Sequence, residues 1–365
     1  MHYFSCFIVI TMTMLACNSD VASSLEARSM AMGKMNDILV IADDTLWNGD
    51  LGDTIRYYLE SPYPIMPTPE NTFDLRHFNA TEIENQPLRR GLRTYVIVAD
   101  LDDMESKVTK MVRADLGEDK FTRARKENKL GTSVGKNKWA NGQMLVYLFA
   151  NGKEDLSRTI RQSFPAISKR INEHDKKMLE SQVYVRKIDK GLSQDVLYNY
   201  GIDLKLPQDF QVAEEVKEEN LIWFRKDTEI AILNLVIQKM PYTGEKQFRK
   251  TALLDLIETF GKTYVTSATE GSIMRTNDED FPVFEYTDNI NGMYTKEIRG
   301  VWEMTKDFMG GPFVAYQMHN KETNELIFAY AFVYAPGKAK RDFVQQLDFL
   351  VNSIKPSTIV PGSSE

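Results

Sequence analysis

The two cysteines of this 365-residue chain, Cys6 and Cys17, both lie within its first 17 residues. The chain beyond Cys17 contains no thiol, so it must fold without disulfide bonds. The same absence excludes zinc sites with cysteine ligands and any thiol nucleophile from that part. Packing and hydrogen bonding must therefore hold the folded body together.

The composition is that of an ordinary globular protein, with 42% hydrophobic and 27% charged residues. A chain of this length is expected to form two domains. The net charge of −7 repels phosphate backbones, so we expect no nucleic-acid partner.

The amino terminus has the features of a targeting segment. Phe4 to Ala16 is an apolar run too short to span a hydrocarbon core of ~30 Å, but long enough for a signal-peptide core. It ends in Met14-Leu15-Ala16-Cys17, which resembles a lipobox. We therefore expect residues 1–16 to be removed and Cys17 to carry acyl chains such as palmitate. Ordinary signal cleavage is the alternative, but it favours a small residue where Met14 stands.

Residues 17–33 are small and polar, which predicts a lipidated tether. By resemblance to the Gram-negative sorting rule, Asn18 after the cysteine favours the outer membrane. The predicted location is the cell envelope, lipid-anchored in the outer membrane, on either its periplasmic or its surface side.

The apolar pattern of residues 34–193 predicts an N-terminal α+β domain. Four strands and two helices alternate as β-α-β-β-α-β, an order typical of a ferredoxin-like sheet. The predicted strands are Ile38–Ala42, Phe73–Phe78, Thr94–Ala99 and Met144–Ala150. A helical extension follows, and Pro165 inside it predicts a break into two helices.

Residues 197–356 predict a C-terminal α+β domain, an antiparallel sheet packed by helices. The predicted strands are Ile202–Leu206, Phe210–Val216, Leu221–Arg225, Ile230–Gln238, Pro282–Thr287, Tyr294–Met304, Phe313–His319 and Leu326–Tyr334. Gly261 is expected just beyond the end of a helix, and Gly310-Gly311-Pro312 is expected to form a tight turn. Residues 357–365 are expected to be a disordered tail. The predicted fold class is α+β throughout.

Motifs for catalysis are weak. Gly131 to Gly135 matches GxSxG around Ser133, but a nucleophile elbow needs a strand before the serine and a helix after it. Here a charged helical segment precedes the motif and a loop rich in lysine and asparagine is expected after it. The histidines of the mature chain are scattered, and HExxH is absent. We therefore predict no catalytic residue, no metal site and no cofactor.

The most distinctive polar residues lie on the strand Tyr294–Met304. With a period of two, Glu297, Arg299 and Glu303 share one face, and Trp302 lies on the other. These four residues are the candidate binding patch. The charged face is expected to form an ion-pair ladder or to line a polar groove. Arg299 and Trp302 are expected to be either an exposed recognition patch or a buried stacked pair.

Seven cations lie between residues 120 and 138, and they suggest either contact with lipid headgroups or simply a solvated surface. They are Lys120, Arg123, Arg125, Lys126, Lys129, Lys136 and Lys138.

Several segments resemble the domain-of-unknown-function family numbered 4837, whose members are envelope lipoproteins of Gram-negative bacteria. The resemblance is carried by Glu297, Arg299, Gly300, Trp302 and the block Met309–Phe313. It extends to Trp47, Gly52, Asp53, Trp139, Ala140 and Gln143, and thus over nearly all of residues 34–356. It implies an envelope location and a shared fold, and it carries over no catalytic residue.

Three functions are compatible with these features. The first is a non-catalytic, membrane-anchored protein that binds or scaffolds another envelope component, either a protein or a glycan. The second is a hydrolase of envelope polymers that uses Glu297 and Glu303 as a carboxylate pair. The third is a carrier of a small ligand held between the two domains.

Overall fold

The computed structural model describes residues 28–127 and 131–357. The predicted signal peptide, Cys17, most of the tether and nearly all of the predicted tail lie outside the described residues. Residues 28–33, which were expected to belong to the tether, instead contact the body through backbone hydrogen bonds. Ala31 N–H donates to Asn141 O at 2.8 Å, and Met32 N–H donates to Gly91 O at 2.7 Å.

The N-terminal domain is a five-stranded sheet between two layers of helices, in the order β2-β1-β3-β5-β4. Its strands are β1 (Asp37–Ile41), β2 (Asp74–Phe78), β3 (Thr94–Asp100), β4 (Gly131–Lys136) and β5 (Met144–Ala150). Its helices are α1 (Asp44–Trp47), α2 (Asp50–Leu59), α3 (Ala80–Asn85), α4 (Lys107–Leu116), α5 (Glu118–Glu127) and α6 (Lys153–Val183).

The ferredoxin-like arrangement predicted for this domain is wrong, although the α+β class is confirmed. Strands β1, β2, β3 and β5 are parallel, and only β4 is antiparallel to its neighbour. Helix α3, which was not predicted from the apolar pattern, begins with a capping box between Asn79 and Glu82. This helix connects β2 to β3, and a helical crossover makes the strands it joins parallel. Buried side chains on both faces of β3 and β5 fit this arrangement.

Ser133 lies in the middle of β4, an edge strand that was not among the strands predicted from the sequence. A nucleophile elbow requires a sharp turn into a helix, and a strand interior does not provide one. Gly131 leaves room for the Phe149 ring of the neighbouring strand, because a Cβ atom at position 131 would stand 1.9 Å from that ring.

The predicted break at Pro165 is also wrong, because α6 runs through it without interruption. Pro165 lies on the exposed side of the helix, where water can satisfy the carbonyl that the proline leaves without a donor. The buried side chains of Ile160 and Ile167 pack on the sheet on either side of it, and this packing keeps the two halves in one line.

The C-terminal domain is an antiparallel sheet in the order β10-β11-β12-β13-β8-β7-β6, with β9 also paired to β11. Its strands are β6 (Gln211–Val216), β7 (Leu221–Asp227), β8 (Ile232–Pro241), β9 (Met274–Thr276), β10 (Phe284–Ile290), β11 (Met293–Met304), β12 (Gly310–Asn320) and β13 (Glu325–Tyr334). Its helices are α7 (Lys190–Tyr200), α8 (Lys250–Tyr264) and α9 (Arg341–Asn352).

The sheet packed by helices is confirmed, with α9 in the hydrophobic core on one face and α8 in the core on the other. The predicted strand Ile202–Leu206 is wrong, since this segment is irregular apart from one bridge at Asp203. Its apolar side chains Ile202, Leu204 and Leu206 are nevertheless fully buried. Burial rather than strand pairing explains their pattern.

The predictions for Gly261 and for the Gly310-Gly311 pair are wrong. At both places the backbone of a neighbouring element lies close to a glycine. Gly261 lies inside α8, where a Cβ atom would stand 2.7 Å from Met274 O. Gly310 and Gly311 begin β12 instead of forming a turn. A Cβ atom on Gly311 would stand 1.9 Å from Val333 O. These glycines let neighbouring elements approach more closely than any side chain would allow.

The two domains are joined by polar contacts around the start of α9. The carboxylate of Glu70 accepts the backbone N–H groups of Lys340 and Arg341, at 2.7 and 2.8 Å. An anion at this position is favoured by the helix dipole. Arg341 also binds the carboxylate of Asp74 at 2.9 Å. The N-terminal domain therefore caps a helix of the C-terminal domain.

Candidate functional site

The four residues of the candidate binding patch all lie on β11, but they do not form one patch. Trp302 is buried in the core on the α8 side, with 2% of its surface exposed. Its indole N–H donates to Val333 O at 3.2 Å. It does not stack on Arg299, which lies on the opposite face, so the predicted stacked pair is wrong.

Glu303 lies at the far end of β11 in a small network of its own. Its carboxylate binds the guanidinium of Arg275 at 2.7 Å and accepts from Asn277 Nδ2 at 2.7 Å. Six residues of strand separate it from Glu297, which corresponds to roughly 20 Å. Paired carboxylates of glycoside hydrolases lie within about 10 Å of each other, so these two glutamates do not form such a pair.

Glu297 and Arg299 belong to a buried polar cluster, which we define as these two residues with Tyr63, Tyr316 and Asp348. Arg299 pairs with Glu297 on its own strand and with Asp348 of α9 at 2.9 Å. The Tyr316 hydroxyl donates to Asp348 at 2.8 Å, and Tyr63 O–H lies 3.4 Å from the Arg299 guanidinium. The cluster therefore joins β11, β12 and α9 to a loop of the N-terminal domain.

Burial and neighbouring charges shift the pKa values of several groups in the cluster. Burial would lower the pKa of Arg299, but Asp348 and its other neighbours hold that pKa well above the usual value. Burial raises the pKa of Glu297, and the adjacent Arg299 opposes the shift. Burial and the Asp348 carboxylate raise the pKa of Tyr316 well above its usual range. Arg299 is thus permanently charged, and the tyrosine hydroxyls stay protonated and act as hydrogen-bond donors.

A cleft of about 650 Å³ opens next to this cluster, between α6 and α9. It lies at the junction of the two domains, and its volume is in the range of small-ligand pockets. Tyr63 and Asp348 contribute to both the cluster and the cleft. A ligand site between the two domains was one of the three functions considered from the sequence, but its lining residues could not be predicted, because the walls of the cleft come from segments far apart along the chain.

The two walls of the cleft differ in chemistry. On α6, Lys169, Asn172 and Lys176 follow a helical spacing and share one face. Both lysines are exposed, and neither forms a salt bridge within residues 28–127 and 131–357. Leu179 and Phe349 supply apolar surface. The carboxylates of Asp175 and Asp348 are paired with Arg93 and Arg299, which leaves Glu173 as the exposed acidic side chain beside the two lysines. The cleft thus offers a small excess of positive charge beside an apolar wall.

The remaining chemical features do not converge on a second site. Among the cations between residues 120 and 138, Lys129 lies outside the described residues, and the others are dispersed. Lys136 and Lys138 lie near the amino ends of the parallel strands, and Arg125 lies near the carboxyl ends. Asp43, Asp44 and Asp103 line an acidic concavity at the carboxyl ends. Within the described residues, no group of three or more histidine and carboxylate side chains is arranged to hold a metal ion.

The fold and the cleft define a two-domain α+β protein with a groove at the domain junction. Residues 189–353 match the family described as domain of unknown function (DUF4837). Residues 31–184 match a different family, domain of unknown function (DUF8532). The predicted resemblance to the first family is thus confirmed for the C-terminal half, whereas the N-terminal half matches a family of its own.

No curated protein matches the chain. Among solved structures, it is similar to the Ran-binding protein Mog1p of Saccharomyces cerevisiae, with 11% identity and a TM-score of 0.28, over 43% of this chain and 92% of that one. A point mutant of Mog1 gives 10% identity and a TM-score of 0.27, over 43% and 90%. Similarity at this level carries no inference about function. No helix in the described part of the chain combines the length and apolar character needed to cross a bilayer.

Proposed function

We propose that this protein is a lipoprotein of a Gram-negative envelope, anchored in the outer membrane through Cys17, and that its body binds another envelope component without catalysis. The cleft between the domains is the proposed binding site. The observation that carries this proposal is the pair of exposed lysines, Lys169 and Lys176, which outnumber the exposed carboxylate of Glu173 next to the apolar surface of Leu179 and Phe349. Such a combination favours an amphiphile with an anionic group.

The buried polar cluster supports a binding role over a catalytic one. A general acid or base must lie within hydrogen-bond reach of the substrate, and Glu297 does not line the cleft. In the cluster, Asp348 is held by Arg299 and Tyr316, and Glu297 is held by Arg299. These groups instead fix one wall of the cleft, which favours recognition by a preorganised surface.

The ligand class can be tested with anilinonaphthalene sulfonate, an anionic aromatic fluorophore. In the unacylated Cys17→Ser protein, where no acyl chain or detergent competes, we expect saturable binding with an increase in fluorescence. Reversing both charges, Lys169→Glu with Lys176→Glu, is expected to weaken binding at least about tenfold, because two attractions become repulsions. Fluorescence titration measures the change.

The matched control reverses two exposed lysines of the C-terminal domain outside the cleft, Lys217→Glu with Lys246→Glu. This variant has the same net charge as the first and is expected to bind like the parent protein. Equal weakening by the two variants would show that only net charge matters, and it would remove the cleft as the binding site.

The anchor can be tested separately in cells. The Cys17→Ser variant is expected to lose metabolic labelling by a palmitate analogue and to leave the membrane fraction, because the thiol is the acylated group. Cys6→Ser is the matched control and is expected to retain both the label and the membrane association. A Cys17→Ser protein that stayed in the membrane and was processed normally would contradict the anchor.

A further inference from the structure

Three segments at the amino ends of β3 and β5 form one continuous surface, which we call the amino-edge surface. They are residues 28–34, residues 87–93 and residues 136–142. Backbone hydrogen bonds join the first segment to the other two, from Met32 to Gly91 and between Ala31 and Asn141. The side-chain amide of Asn141 also donates to Arg28 O at 3.0 Å. The surface is therefore a defined part of the N-terminal domain.

Large apolar side chains protrude from the amino-edge surface. Leu88 is 84% exposed, Met30 is 70% exposed and Met32 is 60% exposed. Single exposed apolar residues are common on proteins, but here three of them lie on adjoining segments. Exposed apolar side chains are unfavourably hydrated, and burial of these three against an apolar phase would relieve that.

The charged groups of the same surface are mainly basic. Arg28, Lys34, Arg90 and Lys136 lie on it, and neither Lys34 nor Lys136 forms a salt bridge within the described residues. The nearby carboxylates are already neutralised, Asp115 by Lys138 and Asp175 by Arg93. This local excess of positive charge stands out in a protein whose net charge is −7.

We propose that the amino-edge surface docks on a bilayer containing anionic phospholipids, with its lysines among the headgroups and Leu88 and Met30 at the acyl boundary. The inference rests on the proposed anchor at Cys17. The chain between Cys17 and Arg28 spans at most about 40 Å even if fully extended, so the anchor holds this surface close to the membrane. Basic residues close to an anionic leaflet, next to apolar side chains, favour this partner.

The experiment uses the full-length acylated protein reconstituted into vesicles. Leu88→Cys supplies a free thiol for an environment-sensitive fluorophore, because residues 1–16 are removed and Cys17 is acylated. In phosphatidylcholine vesicles with about one third phosphatidylglycerol, the emission is expected to shift to the blue. In vesicles of pure phosphatidylcholine, the emission is expected to stay at the wavelength typical of the fluorophore in water. Thr81→Cys, at the opposite end of the strands, is the label control and is expected to stay aqueous in both.

Charge reversal separates the surface from the anchor. Lys34→Glu with Lys136→Glu is expected to reduce the docked fraction at least about tenfold. Lys126→Glu with Lys153→Glu, two exposed lysines near the carboxyl ends of the strands, is expected to leave it unchanged. In every sample, co-flotation of the protein with the vesicles shows whether the lipid anchor at Cys17 is inserted.

The outcomes distinguish the two proposals. A protein that floats with the vesicles but shows no anionic-lipid-dependent shift at position 88 keeps its anchor and overturns the docking surface. A blue shift in the absence of vesicles means that the chain itself or a second protein molecule covers Leu88, which also overturns docking on lipid. Failure to float overturns the anchor and with it the inference that rests on it.

Discussion

Replacing Arg299 by alanine is expected to lower the free energy of unfolding of the C-terminal domain by about 3–5 kcal/mol, because the change leaves two buried carboxylates without their cation. Arg299 is the only described cation that pairs with Glu297 and Asp348. Without it, both carboxylates lose their desolvated partner and repel each other. Urea denaturation followed by tryptophan fluorescence measures the loss.

Arg275→Ala is the matched control, since it removes an arginine that also pairs with a glutamate of β11. Its partner Glu303 keeps a hydrogen bond from Asn277 and partial access to water. The expected loss is therefore much smaller than for Arg299→Ala. In addition, Glu297→Gln with Asp348→Asn in the Arg299→Ala background is expected to recover part of the stability. Equal losses for the two arginines would contradict the structural role assigned to the cluster.

Replacing Gly311 by alanine is expected to cost more than about 3 kcal/mol, at the upper end of overpacking effects. The new methyl group would stand 1.9 Å from Val333 O, a backbone atom that cannot rotate away. Val333 O also accepts the indole N–H of Trp302. The substitution must therefore displace β13 from β12 and break this hydrogen bond. Thermal unfolding, together with the near-UV circular dichroism of the tryptophan, reports both effects.

Gly191→Ala is the control for the effect of adding a methyl group. Gly191 lies in the first turn of α7, and a Cβ atom there would meet only Asp189 Oδ1, at 3.5 Å. Alanine at this helical position is expected to be neutral or to stabilise by up to about 1 kcal/mol. A Gly311→Ala protein as stable as Gly191→Ala would show that the strands do not approach as closely as the structure indicates.

The period-two pattern of β11 correctly predicted which side chains share a face. Glu297 and Arg299 point to the α9 side, and Trp302 points into the core on the α8 side. The pattern gave no partner for Arg299, because Asp348 and Tyr63 lie 49 and 236 residues away along the chain. Alternation is a local property of a strand, whereas an ion pair between elements depends on how those elements dock.

The parallel sheet of the N-terminal domain shows the same limit of local sequence patterns. The continuous apolar runs of β1, β3 and β5 correctly predicted buried strands, but not their directions. The direction of β3 depends on α3, a helix of six residues whose signal is one capping box. So short a helix has little intrinsic stability and forms because the domain packs around it. The sequence alone therefore predicted which segments form strands, but not the order and direction of the strands in the sheet.

By itself, the sequence determined the thiol-free body, the faces of β11 and the buried strands, because each depends on composition or on a spacing of a few residues. Only the tertiary structure decided the pairing of Arg299, the need for glycine at position 311, and the cleft between α6 and α9. Each of these features joins atoms from distant parts of the chain. Their positions follow from the packing of whole elements and domains, which no local pattern encodes.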